Sequence, residues 1–386
     1  MAYNFDLIPN RRLPNIENKW TQYPKDVLPL WVADMDFVAP PAIQKALREY
    51  VEHGDLGYQL PSRALYESIV SRMQKLYDWK ITPEMIVSIP GVNSGYNAAA
   101  RILCTSRRGY LIQTPVYNEF HETRRKTGTA QVTARLKEKV SGNRISYEVD
   151  FDAFARAVQK VNLFILCNPH NPIGKIFSRS ELRRMAKLCL QNDVTIVSDE
   201  IHSELLLDGN SFQPLAALSR EIANRTITLV SASKAFNIPG LFSAFAIIPN
   251  AELRKSYQEM VFKMGYHLSA PGLVATRVAY LGQCDGWLTS LRKYLTGNRD
   301  FLVDYVTKYM PEMRVTVPAA TYLAWLDCTA YKLEPCPYDF FLKEARVALS
   351  DGGKFGEQSR QFVRLNFGTS RKILKQALDR LRTALG

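Results

Sequence analysis

A lysine sits at an unusual place in "VSASKAFNIPGL", residues 230–241. Lys234 follows an apolar run, Thr226–Val230, and lies beside Ser233 and three residues after Ser231. An amine at the end of a buried strand is either a snorkelling surface group or a reactive one. Other runs end in chemically distinct residues. "NLFILC" leads to Asn171, "VTIVS" to Asp199, "YLIQ" to Tyr117, and "IVSI" to Gly91-Val92-Asn93 at the opening of a helical pattern. Taken singly, each has an ordinary use: a turn, a helix-start acid, a packed ring, a solvated lysine. Taken together they form a set. A helix N-terminus and two serines offer donors to a phosphate. A ring can stack on a heterocycle, a carboxylate can keep a pyridine nitrogen protonated, and an amide can donate to a phenolate oxygen. A lysine can form a Schiff base with an aldehyde. Pyridoxal 5'-phosphate (PLP) has all of these features and serves as an electron sink.

Elements of a definite kind must bring these residues together. Strands are expected at Ile86–Ile89, Tyr110–Gln113, Asn162–Cys167, Val194–Ser198, Thr226–Val230 and Ser243–Ile248. Helices are expected at Pro41–Glu52, Arg63–Tyr77, Ser94–Leu103, Phe151–Gln159 and Arg179–Gln191. Ser178-x-x-Glu181 is a capping box for the last. This alternation predicts an α/β layer with a mostly parallel sheet, whose ligands bind beyond the carboxyl ends of the strands. The last third reads as α+β. It has a helix at Trp287–Tyr309, short strands at Arg314–Val317, Tyr322–Leu326 and Phe362–Asn366, and a helix at Ile373–Ala384. The first 40 residues read as an extended arm.

Bulk composition limits the alternatives. The chain has 386 residues, enough for about two domains. The opening residues contain no apolar core of a secretory signal, and the apolar runs are too short to span a bilayer. Six cysteines without a CxxC pair, and five histidines without a metal-ligand spacing, predict a reduced cytoplasmic protein with no metal. The net charge of +13 is spread among acids, so no nucleic-acid partner is expected.

The order Tyr117, Asn171-Pro172-x-Gly174, Asp199, Ser231-x-Ser233-Lys234 and Arg364-x-Asn366 resembles the fold-type I PLP enzymes of the aminotransferase class I/II superfamily. Lys234 stands 35 residues after Asp199, which fits that pattern. "PLWVADMDF", "HGDLGY", "DEIHSEL", "SKAFNIPGL" and "FVRLNFG" are similar to its cystathionine β-lyase branch, the MalY/PatB type.

The resemblance implies a large domain, residues 48–280, with a seven-stranded mostly parallel sheet sandwiched by helices. Residues 1–47 and 281–386 would form the arm and a smaller α+β domain. It implies that Lys234 forms the Schiff base and moves the Cα proton, that Asp199 pairs with the ring nitrogen, and that Tyr117 stacks on the ring. Asn171 would donate to the ring oxygen, with His202 nearby. Gly91, Val92, Asn93, Ser231 and Ser233 would surround the phosphate. Arg364 would bind the substrate carboxylate, and Ala33 and Asn171 would touch substrate. Tyr58 would reach the partner's cofactor in a homodimer.

Some positions depart from the family pattern. Phe242 replaces a common phosphate-binding Arg, Asn93 a second Val, Gly368-Thr369-Ser370-Arg371 an Ala-Cys-Pro-Arg motif, and Ala319 an acid. The implied activity is a carbon–sulfur β-lyase on cystathionine or cysteine-type substrates. An aminotransferase is the alternative, because both need the same lysine, aspartate and arginine. A non-catalytic PLP-binding regulator is a third reading, disfavoured by the intact Lys234.

Overall fold

The computed structural model describes residues 3–386. Its central sheet has seven strands: β1 (Ile86–Ile89), β2 (Gly109–Thr114), β3 (Gln131–Arg135), β4 (Val161–Cys167), β5 (Thr195–Asp199), β6 (Thr226–Val230) and β7 (Ala244–Ile247). The spatial order is β1-β7-β6-β5-β4-β2-β3. All pairings are parallel except those of β7, which runs antiparallel to β1 and β6. The carboxyl ends of the other strands therefore share one edge of the sheet. β5 and β6 are buried along their whole length, as expected of strands in a parallel sheet covered on both faces.

Helix α1 (Val92–Leu103) crosses one face of this sheet. Its Tyr96 and Ala98–Ala100 pack with Ile89, Val197, Ile227 and Leu229. Gly95 permits the close approach: an added Cβ would lie 2.7 Å from Ile89 Cδ1 and 2.9 Å from Leu229 Cδ2. Helix α2 (Arg179–Gln191) covers the other face with Leu182, Met185, Ala186 and Cys189. Its capping box at Ser178 and Glu181 is present.

A second sheet of six strands holds Phe362–Asn366 beside Leu323–Asp327 and Ser350–Asp351. The hairpin Lys137–Ser141 and Arg144–Glu148, which follows β3 in the chain, extends this sheet through Arg314–Val315. The arm enters through Leu28–Pro29, which pair in parallel with Val347–Ala348. Among the described residues no helix is long and apolar enough to cross a membrane.

Differences from the sequence reading are local. β5 includes Asp199, α1 begins at Val92 rather than Ser94, and the strand expected at Arg314–Val317 ends at Val315. Three helices carried no readable period: Asn118–Thr127, Ala251–Lys263 and Ala270–Val278. The first buries only Phe120 and Thr123, and the second only Tyr257, so their apolar faces are too narrow to register. β3 and the polar hairpin were missed for the same reason: β3 is an edge strand burying only Ala134.

Candidate active site

Four strand ends and the start of α1 converge on a cavity of about 310 Å³. It is lined by Gly91, Val92, Asn93, Tyr117, Asn171, Asp199, His202, Ser231, Ser233 and Lys234, with Ala33 from the arm. A second lobe of about 460 Å³ shares Ala33, Tyr117 and Lys234 and presents Arg364. Lys234 thus stands where the two lobes meet. Of the cofactor- and substrate-binding residues expected from the sequence, only Tyr58 lies elsewhere. It is 94% exposed, and its ring lies 5.8 Å from that of His267.

The first lobe has an anion-binding end. Gly91 is the N-cap of α1 and provides no side-chain cap, so first-turn N–H groups remain available. An added Cβ at Gly91 meets nothing within 4 Å, so the missing side chain leaves open space rather than relieving a clash. Ser231 Oγ lies 2.9 Å from Ser233 Oγ and 2.7 Å from the Ser243 carbonyl, and it accepts the Ser233 N–H at 3.1 Å. Phe242 also lines this end, at φ 46° and largely exposed.

The other end holds an anion of the protein's own. Asp199 is 4% exposed and accepts one backbone hydrogen bond, from Ile201 N–H at 3.2 Å. Burial pushes its carboxyl up to about 7, against which the Ile201 bond and the Lys234 charge act only in part. His202 is buried, and its Nδ1 has no partner. Burial, with the Lys234 and Arg364 charges, holds the ring neutral by lowering its pKa to about 3.

Lys234 Nζ donates to the Ala33 carbonyl at 2.6 Å, and Tyr322 OH donates to the same oxygen at 2.8 Å. Burial brings this amine down to about 8, with Asp34 the largest influence pulling it back up. A free-base fraction therefore exists near neutral pH. Tyr117 caps the helix Asn118–Thr127, and its backbone N–H donates to the Asn171 carbonyl at 3.1 Å. Burial raises its phenol pKa.

Arg364 connects the lobes. Its guanidinium donates to Asn171 Oδ1 at 3.0 Å, the Trp31 carbonyl at 2.7 Å and Ser350 Oγ at 3.0 Å, and it stacks 5.0 Å from the Phe355 ring centroid. Its Nε has no partner. Burial lowers its pKa to about 10, which leaves it charged at neutral pH. The bond to Oδ1 leaves the amide nitrogen of Asn171 as the group that can donate into the cavity. Gly174 holds the turn after Asn171 at φ 69°, with the Ala319 and Ala320 N–H groups donating to its carbonyl.

A matching family model, "Aminotransferase class I and II", spans residues 25–381. The chain belongs to the aminotransferase class I and II family. Within it, "Cystathionine beta-lyase PatB" of Bacillus subtilis is 36% identical over 364 residues, covering 93% of each chain. The PLP-bound C-S lyase from Staphylococcus hominis has a TM-score of 0.92 at 32% identity, covering 100% of this chain and 98% of that one. Cystalysin from Treponema denticola, which contains PLP, has a TM-score of 0.94 at 27% identity, covering 100% and 99%. The family cofactor is PLP, and the cavity fits it. An under-compensated buried carboxylate, an unpartnered His202 nitrogen, an uncapped helix start with two serines, and a perturbed amine all face one space.

Sequence reasoning missed the residues that hold the arm in this aminotransferase-family site. Lys19 is 4% exposed and reaches Asp34 Oδ1 at 2.8 Å and Asp36 Oδ1 at 3.0 Å. Asn237 binds the Met35 N–H and the Met35 and Phe37 carbonyls, and Asn366 binds the Val32 and Asp34 carbonyls. The available signal was Asp34 and Asp36 in an apolar stretch, which require a cation when buried.

Proposed function

We propose that the protein is a PLP-dependent carbon–sulfur β-lyase that converts cystathionine or a related S-substituted cysteine, with water, into a thiol, pyruvate and ammonia. The carrying observation is the likeness to PatB along nearly the whole chain, together with a cavity that fits the cofactor. Bound PLP supplies an aldehyde for an amine and a protonated ring that stores an electron pair.

The chain's own residues have the following roles in this reading. Lys234 Nζ carries the cofactor and, once released, takes the proton from substrate Cα; its lowered pKa suits that task. The Asp199 carboxylate holds a proton on the ring nitrogen. Tyr117 stacks on the ring, the Asn171 amide donates to the ring oxygen, and His202 packs beside them as a neutral ring. Gly91, Val92, Asn93, Ser231 and Ser233 hold the phosphate, and Phe242 leaves that task to these donors. Arg364 binds the substrate α-carboxylate as a planar fork, exchanging its bond to the Trp31 carbonyl for it. Ala33 and Asn171 border the substrate.

Residues 48–280 form the cofactor-binding unit in this reading, and the arm with residues 281–386 forms the second. The enzyme acts in the cytoplasm as a homodimer in which Tyr58 reaches the partner's phosphate. The exposed Leu56, Tyr58 and Leu60 support this by forming an apolar stretch that a second copy would cover.

The family model's own name favours one alternative, transfer of the amino group to a 2-oxo acid. Mixing the PLP-loaded protein with excess L-cystathionine, without any keto acid, separates the two. Continuous pyruvate release with the yellow colour retained is the lyase result. Stoichiometric bleaching without pyruvate is the aminotransferase result and overturns the lyase proposal.

A further inference from the structure

Every backbone carbonyl but one between Trp31 and Phe37 is held by a side chain of the site or its frame. Arg364 and Ser350 take Trp31, Asn366 takes Val32 and Asp34, Lys234 and Tyr322 take Ala33, and Asn237 takes Met35 and Phe37. The exception is Asp36. This segment is therefore a frame for the reacting amine. A buried ammonium ties the segment to the rest of the arm. Lys19 Nζ donates to the Asp34 carbonyl at 2.9 Å and forms ion pairs with both carboxylates. Trp20 Nε1 adds a bond to Asp36 Oδ1 at 2.8 Å, and Arg11 meets Asp34 Oδ2 at 3.1 Å.

We infer that Lys19 is a positioning residue for Lys234: it balances Asp34 and Asp36 on the segment that carries the Ala33 carbonyl and so sets both the placement of the amine and the charge around it. The lysine acts through the arm and does not bond the amine itself. The charged and titratable groups around Lys234 are Asp34, Asp199, Arg364, Lys19 and His202, with the Tyr322 phenol on the same carbonyl. Asp34 is the strongest of these in favouring the ammonium form, and Lys19 opposes it. Removing the two partners one at a time must therefore move the amine in opposite directions. A merely structural role would move it in the same direction or not at all. The inference rests on Lys234 being the amine that takes up PLP.

The test is the pH dependence of the rate at which apoprotein acquires imine absorbance on mixing with PLP. Lys19→Met removes the buried cation that Asp34 and Asp36 share and is expected to move the midpoint up by at least about half a pH unit. Asp34→Asn is expected to move it down by a similar amount. Shifts of the same sign, or none, overturn the inference. If Lys19→Met does not fold, Lys19→Gln, which can still donate to the Asp34 carbonyl, takes its place: an upward shift supports the charge balance, and an unmoved midpoint refutes it. Lys234→Ala must show no imine absorbance. A signal in that variant removes the assignment of Lys234, whatever the other two show.

Discussion

Asp199→Asn probes the most strained charge in the site. The carboxyl rises from an ordinary 3.8 to about 7, chiefly because it is buried with one backbone donor. The direction fixes the pH window. A group whose folded pKa is raised adds stability below its unfolded value and loses it as pH rises through the folded one. A gap of about 3 pH units corresponds to about 4 kcal/mol at full ionisation. Part of this is already lost by pH 5, so about 3 kcal/mol separates pH 5 from pH 8. Asn keeps an oxygen for the Ile201 N–H and carries no charge. Relative to wild type, Asp199→Asn apoprotein should thus gain about 3 kcal/mol between pH 5 and pH 8. Urea unfolding at both pH values checks this. Glu200 is also pushed up, to about 8, mainly by burial, but it titrates in both proteins and largely cancels in the comparison. With PLP bound the sign reverses, because the variant loses its partner for the ring nitrogen. PLP retention should fall by at least about tenfold. A stability difference independent of pH would refute the reasoning.

Lys234→Ala should abolish turnover and the lysine-dependent PLP absorbance, measured by pyruvate assay and spectrum. Arg364→Met should raise KM for the amino acid by roughly 30- to 100-fold, the worth of a charge-assisted fork, with smaller changes in PLP binding. Tyr58→Leu should speed PLP loss by roughly five- to tenfold without altering the mass seen by light scattering, if one hydrogen bond from the partner is removed.

The cofactor chemistry was legible because Tyr117, Asn171, Asp199 and Lys234 each stand at or just past the end of an apolar run. Thr226–Val230 before Lys234 and Val161–Cys167 before Asn171 are buried strands, and their ends are easy to read. The polar helix Asn118–Thr127 that Tyr117 caps was not legible, since it buries too little apolar surface to show a period. Nor was the role of Lys19, because a single lysine in an arm without periodicity looks like any solvated cation. Its burial depends on Asp34 and Asp36 meeting it from 15 residues or more along the chain.

From the sequence alone followed the alternation of strands and helices, the mostly parallel sheet, and the set of residue types collected at one edge of it. Those are consequences of local hydrophobic pattern and of the rule that strand ends face the ligand. The environment of each group was decided only by tertiary structure. Burial brings Lys234 toward about 8 and Asp199 to about 7, and contacts hundreds of residues apart put Ala33 on the amine and Asn171 on Arg364. Proton affinity depends on desolvation and on neighbouring charge, and neither exists until the chain has packed.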